Sequence, residues 1–106
     1  MSNRGYERGR RFEWLRKKAW EAQGYVVLRT AGSHGFADLL ALDIAASAEP
    51  VECIQCKVAK TKTEAQRLIR TFVEKPPLPK SSCYRQRIEV SVPRQGIFQG
   101  VVDCEP

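Results

Sequence analysis

Val51-Glu52-Cys53-Ile54-Gln55-Cys56-Lys57-Val58 constrains what this chain can fold into more than any other stretch. In an extended backbone alternate side chains share a face. Gln55 and Lys57 therefore point the same way as Val51 and Cys53, while Glu52, Ile54 and Cys56 point the other way. Upstream, Leu39-Leu40-Ala41-Leu42 reads as a strand buried on both faces, with Asp38 at its start. An amide and an ammonium set in a buried strand are costly without partners, and Asp38 on the neighbouring strand is the partner on offer. An acid, an amide oxygen and a lysine on adjacent strands suit a Mg²⁺ site with a nucleophilic water.

The flanking sequence supplies covers for those strands. From Tyr6 to Ala22 the apolar positions Phe12, Leu15, Ala19 and Ala22 step by three and four, which predicts an amphipathic helix that Gly24 ends. Residues 1–5 read as a loose arm. Tyr25 to Arg29 predicts a strand, 30–36 a glycine-containing loop, 36–43 the second strand, 43–50 a loop and 51–58 the third strand. Thr63 is placed to cap a helix from Glu64 to about Lys75, with Ala65, Leu68, Ile69, Phe72 and Val73 as its buried stripe. Pro76-Pro77-Leu78-Pro79 stops it. Tyr84 to Val92 alternates as a half-exposed strand, with Arg85, Arg87, Glu89 and Ser91 outward, and Ile97 to Val102 follows after a turn. The order α-β-β-β-α-β-β predicts one α/β domain over 1–106, a central mixed sheet flanked by helices.

Charge divides the chain sharply. Residues 1–29 carry eight Lys/Arg against three acids and residues 57–87 nine against two, whereas 30–56 carry four acids and no Lys or Arg. An acidic island between basic segments suits a protein that grips phosphates at its periphery and holds a cation at its centre. The sequence shows no apolar run near the roughly 18 residues of a spanning helix and no secretory signal, so membrane insertion is not expected and an intracellular, cytoplasmic setting is. Cys53 and Cys56 lie three apart on a strand, facing opposite sides, so the CxxC reads as buried reduced thiols rather than half a zinc site.

Gly35-Phe36-Ala37-Asp38 with Gln55-Cys56-Lys57 resembles the acid and (D/E)xK elements of the PD-(D/E)xK nucleases. With Glu7-Arg8 opening a helix, and Gly24-Tyr25-Val26-Val27-Leu28-Arg29 leading into the Gly/Ser loop, the order over residues 5 to 72 is similar to the archaeal-type Holliday junction resolvases. The resemblance implies a restriction-endonuclease-like α-β-β-β-α-β core and a homodimeric, Mg²⁺-dependent endonuclease, with Mn²⁺ as a substitute, for four-way or other branched DNA. It implies catalytic roles for Glu7, Asp38, Gln55, Lys57 and Ser33, with Glu7, Asp38 and Gln55 as metal ligands and Arg8 and Arg29 on phosphate. Gln55 departs from the family's usual carboxylate and removes one negative charge.

Outside that pattern, His34 can contact phosphate from its Gly-flanked loop, and Arg11, Lys60, Lys62, Arg67 and Arg70 suit backbone contacts that carry no sequence information. Trp14 and Trp20 are six apart, so at least one is expected to be exposed. Two other readings stay open. One is a small nuclease of the same superfamily for nicked, mismatched or duplex DNA. The other is a basic DNA-binding protein on a nuclease scaffold that does not cut.

Overall fold

The computed structural model describes residues 4–30, 36–44 and 50–104, in the order α1 (Arg4–Ala22), β1 (Val26–Arg29), β2 (Leu39–Leu42), β3 (Val51–Val58), α2 (Lys62–Glu74), β4 (Tyr84–Val92) and β5 (Gly96–Val102). The helix α1 starts two residues before the expected Tyr6, so Arg4 and Gly5 belong to it rather than to an arm. The strands β3 and β4 have the predicted bounds. The strand β2 is shorter, because regular pairing begins only at Leu39. Thr61, not Thr63, caps α2: its hydroxyl accepts from Glu64 N at 3.1 Å, and the Glu64 carboxylate accepts from Lys60 N at 3.1 Å. This reciprocal pairing of orphan donors starts the helix two residues early.

The five strands lie in sequence order in one mixed sheet. The pairs β1–β2, β2–β3 and β4–β5 are antiparallel, and β3–β4 is parallel across the α2 crossover. One helix covers each face. Phe12 and Trp20 of α1 bury against Val27, Leu39, Ala41, Ile54 and Cys56. On the other face Ala65 and Phe72 of α2 bury against Ile88, Val90, Val92 and Val102. Gly24, at φ 98°, turns the chain out of α1 in a conformation that glycine adopts without penalty.

Two faces differ from expectation. The buried face of α1 is Phe12–Arg16–Trp20, not the one carrying Leu15 and Ala22, and Leu15 is 58% exposed. Arg16 can occupy a core-facing position because Glu89 accepts from its Nε at 2.8 Å and its Nη2 at 3.1 Å. Glu89 in turn is wholly buried rather than outward, and also accepts from Trp20 Nε1 and Gln99 Nε2. Beside it, Glu52 is buried and accepts from Arg85 and Arg87. An acid–arginine layer thus lies between α1 and the sheet, where apolar periodicity alone leaves no trace. On α2, Ala65 and Phe72 are buried as expected, whereas Val73 is exposed. Among the described residues, no helix is long and apolar enough to cross a membrane.

Candidate active site at the open end of the central strands

Asp38 marks the point where β2 parts from its neighbours. Its backbone carbonyl accepts from Thr30 N at 2.9 Å, and its N–H donates to Ile54 O at 2.8 Å. The next donor on β3, Cys56 N–H, finds no main-chain acceptor there and donates instead to Asp38 Oδ2 at 2.8 Å. The carboxylate is therefore pinned to the one peptide N–H that lies between Gln55 and Lys57. A carboxylate oxygen thus stands where the ladder would otherwise supply a main-chain carbonyl. Gln55 donates from Nε2 to Phe36 O at 3.2 Å, which turns its Oε1 away from that carbonyl.

Gln55 and Lys57 point to the α2 side, as alternation requires, and line a groove of about 380 Å³. Leu68, Phe72 and Ile88 give it an apolar floor, and Arg67 and Lys75 add two cations to Lys57. Arg67 was anticipated as a DNA contact. Lys75, at the end of α2, was not, because the sequence does not say which turn of the helix overlies β3. Glu52 faces the opposite side, where its carboxylate accepts from Arg85 and Arg87.

A second cleft, on the α1 side, is lined by Glu7, Arg10, Arg11, Trp14 and Arg29. Its Arg29 is paired with Leu39, the residue after Asp38, across β1–β2. Glu13 Oε1 accepts from Arg29 Nε at 3.2 Å and fixes the guanidinium; sequence reasoning offered no signal for this partner. Asp38 is thus brought together with Gln55 and Lys57, and Glu7 with Arg11 and Arg29, but Glu7 lines a different cleft from Gln55 and Lys57. Arg8 lies in a third hollow, with Arg11 and Val58. Lys60 and Lys62 stand exposed at the start of α2. Ser33 and His34 lie outside the described residues.

The thiols take no part in this donor set. Cys53 and Cys56 are buried on opposite faces and free. Burial pushes the Cys53 thiol up to about 11. Burial, with the nearby carboxylates of Glu89, Asp38 and Glu13, also pushes Cys56 up. Both stay protonated at neutral pH, and on opposite faces of one strand they do not point at a common site. Among the described residues no three of His, Cys, Asp and Glu converge on one point. The hard donors nearest one another along these strands are the Asp38 carboxylate, which accepts from Cys56 N, and the amide oxygen of Gln55, the residue before Cys56. That set fits Mg²⁺, which is commonly held by one or two carboxylates and completes its shell with water and substrate phosphate.

The fold is of the restriction-endonuclease-like α/β class, a mixed five-stranded sheet between two helices. Among solved structures the chain is similar to Archaeoglobus fulgidus Hjc, a Holliday junction resolvase from an archaeal hyperthermophile. The likeness has a TM-score of 0.56 at 18% identity and covers 90% of this chain and 73% of that one. At that identity it is a likeness of fold. No protein-family model and no curated protein matches the chain.

Proposed function

We propose that this protein is a metal-dependent, structure-selective DNA endonuclease, acting on branched DNA in the manner of a Holliday junction resolvase. The observation that carries the reading is the bond from Cys56 N–H to Asp38 Oδ2, which ties the acid to the Gln55–Lys57 segment on a fold shared with a resolvase. Asp38 and Gln55 would hold Mg²⁺ or Mn²⁺. Bound there, the ion would neutralise charge developing on the phosphate and make a coordinated water more acidic. Lys57 orients the attacking water and steadies the transition state. Arg29, fixed by Glu13, and Arg11 grip flanking phosphates on one face, while Arg67 and Lys75 do so on the other. Glu7 lines the α1 cleft and takes no share in holding the ion. A homodimer would present two such sites to two strands, and exposed Val26 and Leu28 on the uncovered face of β1 are apolar surface it would bury.

The test is cleavage of labelled four-way junction, nicked duplex and linear duplex, with Mg²⁺ and with EDTA, for wild type beside Asp38→Asn. Paired metal-dependent cuts at the junction, lost in Asp38→Asn with binding retained, are expected. Cutting of nicked or linear duplex in preference to the junction would replace the resolvase with a related nuclease.

A second reading rests on Gln55, which carries no charge and spends its amide N–H on Phe36 O. It makes the protein a basic DNA-binding module that does not cut. Tight, salt-sensitive junction binding with no cleavage in Mg²⁺ or Mn²⁺ is its signature.

A further inference from the structure

We infer that the α1 cleft is a slot for an unpaired nucleobase, with Trp14 as its stacking platform; the inference rests on the DNA-processing reading above and gives that site its selectivity for opened DNA. Trp14 is 51% exposed on the surface of α1, whereas Trp20, six residues on, is buried in the core. The fold does not use the Trp14 ring as packing. Cations surround it: the ammoniums of Lys17 and Lys18 lie 5.4 and 5.0 Å from the ring centroid. Arg10 and Arg11, one turn back along α1, line the cleft with it. Glu13, the acid beside Trp14, is already engaged by Arg29, which leaves Glu7 as the carboxylate facing the cleft.

An exposed indole among cations is the combination that holds single-stranded nucleic acid, with the ring taking a base and the cations its phosphates. At about 400 Å³ the cleft is of the size that small ligands occupy, enough for a base with its sugar. Glu7 can accept from the ring N–H on the Watson–Crick edge of guanine or thymine, a donor that base pairing occupies in duplex. The strand that carries Arg29 into the cleft is tied to the Asp38 main chain, since the next residue, Thr30, donates its N–H to Asp38 O at 2.9 Å. A base lifted at a branch point and stacked on Trp14 would hold its strand beside Asp38.

The experiment compares binding, in EDTA to prevent cutting, of a linear duplex and the same duplex carrying a three-nucleotide bulge with 2-aminopurine at its centre. Wild type, Trp14→Leu and Trp14→Phe are measured side by side, with sedimentation of each. Wild type is expected to favour the bulged DNA and to quench the 2-aminopurine. Trp14→Leu should lose about tenfold of that preference and the quench, with duplex affinity unchanged, while Trp14→Phe keeps most of both. Bulge preference and quench unaltered in Trp14→Leu would overturn the slot and leave the nuclease reading standing. A change in sedimentation alone would reassign Trp14 to a contact between copies. Failure of wild type to bind any DNA would overturn both.

Discussion

At the scale of single residues, Asp38 has two duties that substitution can separate. Its Oδ2 serves Cys56 N–H structurally, and its charge serves the proposed cation. Asparagine keeps an acceptor for the peptide and loses the charge; alanine loses both and leaves a donor at the strand junction unpaired, at a cost of about 1–2 kcal/mol. Urea denaturation should therefore find Asp38→Asn close to wild type and Asp38→Ala measurably weaker, with cleavage gone in both. Equal stabilities would mean that the bond to Cys56 contributes nothing. Gln55 is the complementary case. Gln55→Glu restores an anionic oxygen beside Asp38, so half-maximal cleavage should need less Mg²⁺, on the order of tenfold. A rise in the Mg²⁺ requirement would remove Gln55 from the metal site. That Gln55 and Lys57 share one face of β3 was legible because a strand's period of two is rigid. The partner of Arg29 was not, since it depends on how α1 is rotated about its own axis.

That rotation belongs to the scale of elements. The sequence pattern favoured Leu15 and Ala22 because they are apolar, yet the bidentate bond to Glu89 draws Arg16 inward and Phe12 and Trp20 with it. The alternation of β4 holds, but the face that it marks as solvated carries the buried Glu89. Only the position of α1 over the sheet makes Glu89 a core residue. Removing Arg16 leaves a buried carboxylate served by Trp20 and Gln99 alone, so Arg16→Ala should cost about 2–4 kcal/mol. Arg16→Leu with Glu89→Leu, which removes both charges, should recover much of that loss in chemical denaturation. If the double variant is no better than the single one, the layer contributes through packing rather than charge balance. On the opposite face α2 lies so close to β5 that a Cβ on Gly100 would stand 2.5 Å from Ile69 Cγ2. Gly100→Ala must push the helix or rotate Ile69, and should destabilise by about 1–3 kcal/mol; a neutral effect would show that α2 is free to shift.

For the molecule as a whole, the segmented charge of the sequence acquires a geometry. The basic segment 1–29 becomes mostly α1 on one face of the sheet, and 57–87 contains α2 on the other, while the acid Asp38 sits at the strand end between them. A phosphate backbone approaching Asp38 therefore meets cations from both sides, Arg10, Arg11 and Arg29 from α1 and β1, and Lys57, Arg67 and Lys75 in the groove. Not every basic residue is available for that purpose. Arg16, Arg85 and Arg87 are committed to buried acids, and the bonds to Glu89 and Glu52 hold the Arg16 and Arg85 guanidiniums more firmly protonated than usual. Net charge consequently overstates the charge free for the proposed DNA contacts, and the salt dependence of binding would measure the remainder. Each phosphate neutralised contributes about 0.9 to the slope of log affinity against log salt on duplex DNA. Arg67→Ala and Lys75→Ala should each lower that slope by about one and weaken duplex and junction alike, because phosphate contacts position DNA without reading its shape. Arg87→Ala, with its charge spent on Glu52, should leave the slope unchanged. A slope indifferent to Arg67 and Lys75 would move the DNA path off the α2 groove and confine it to the α1 face.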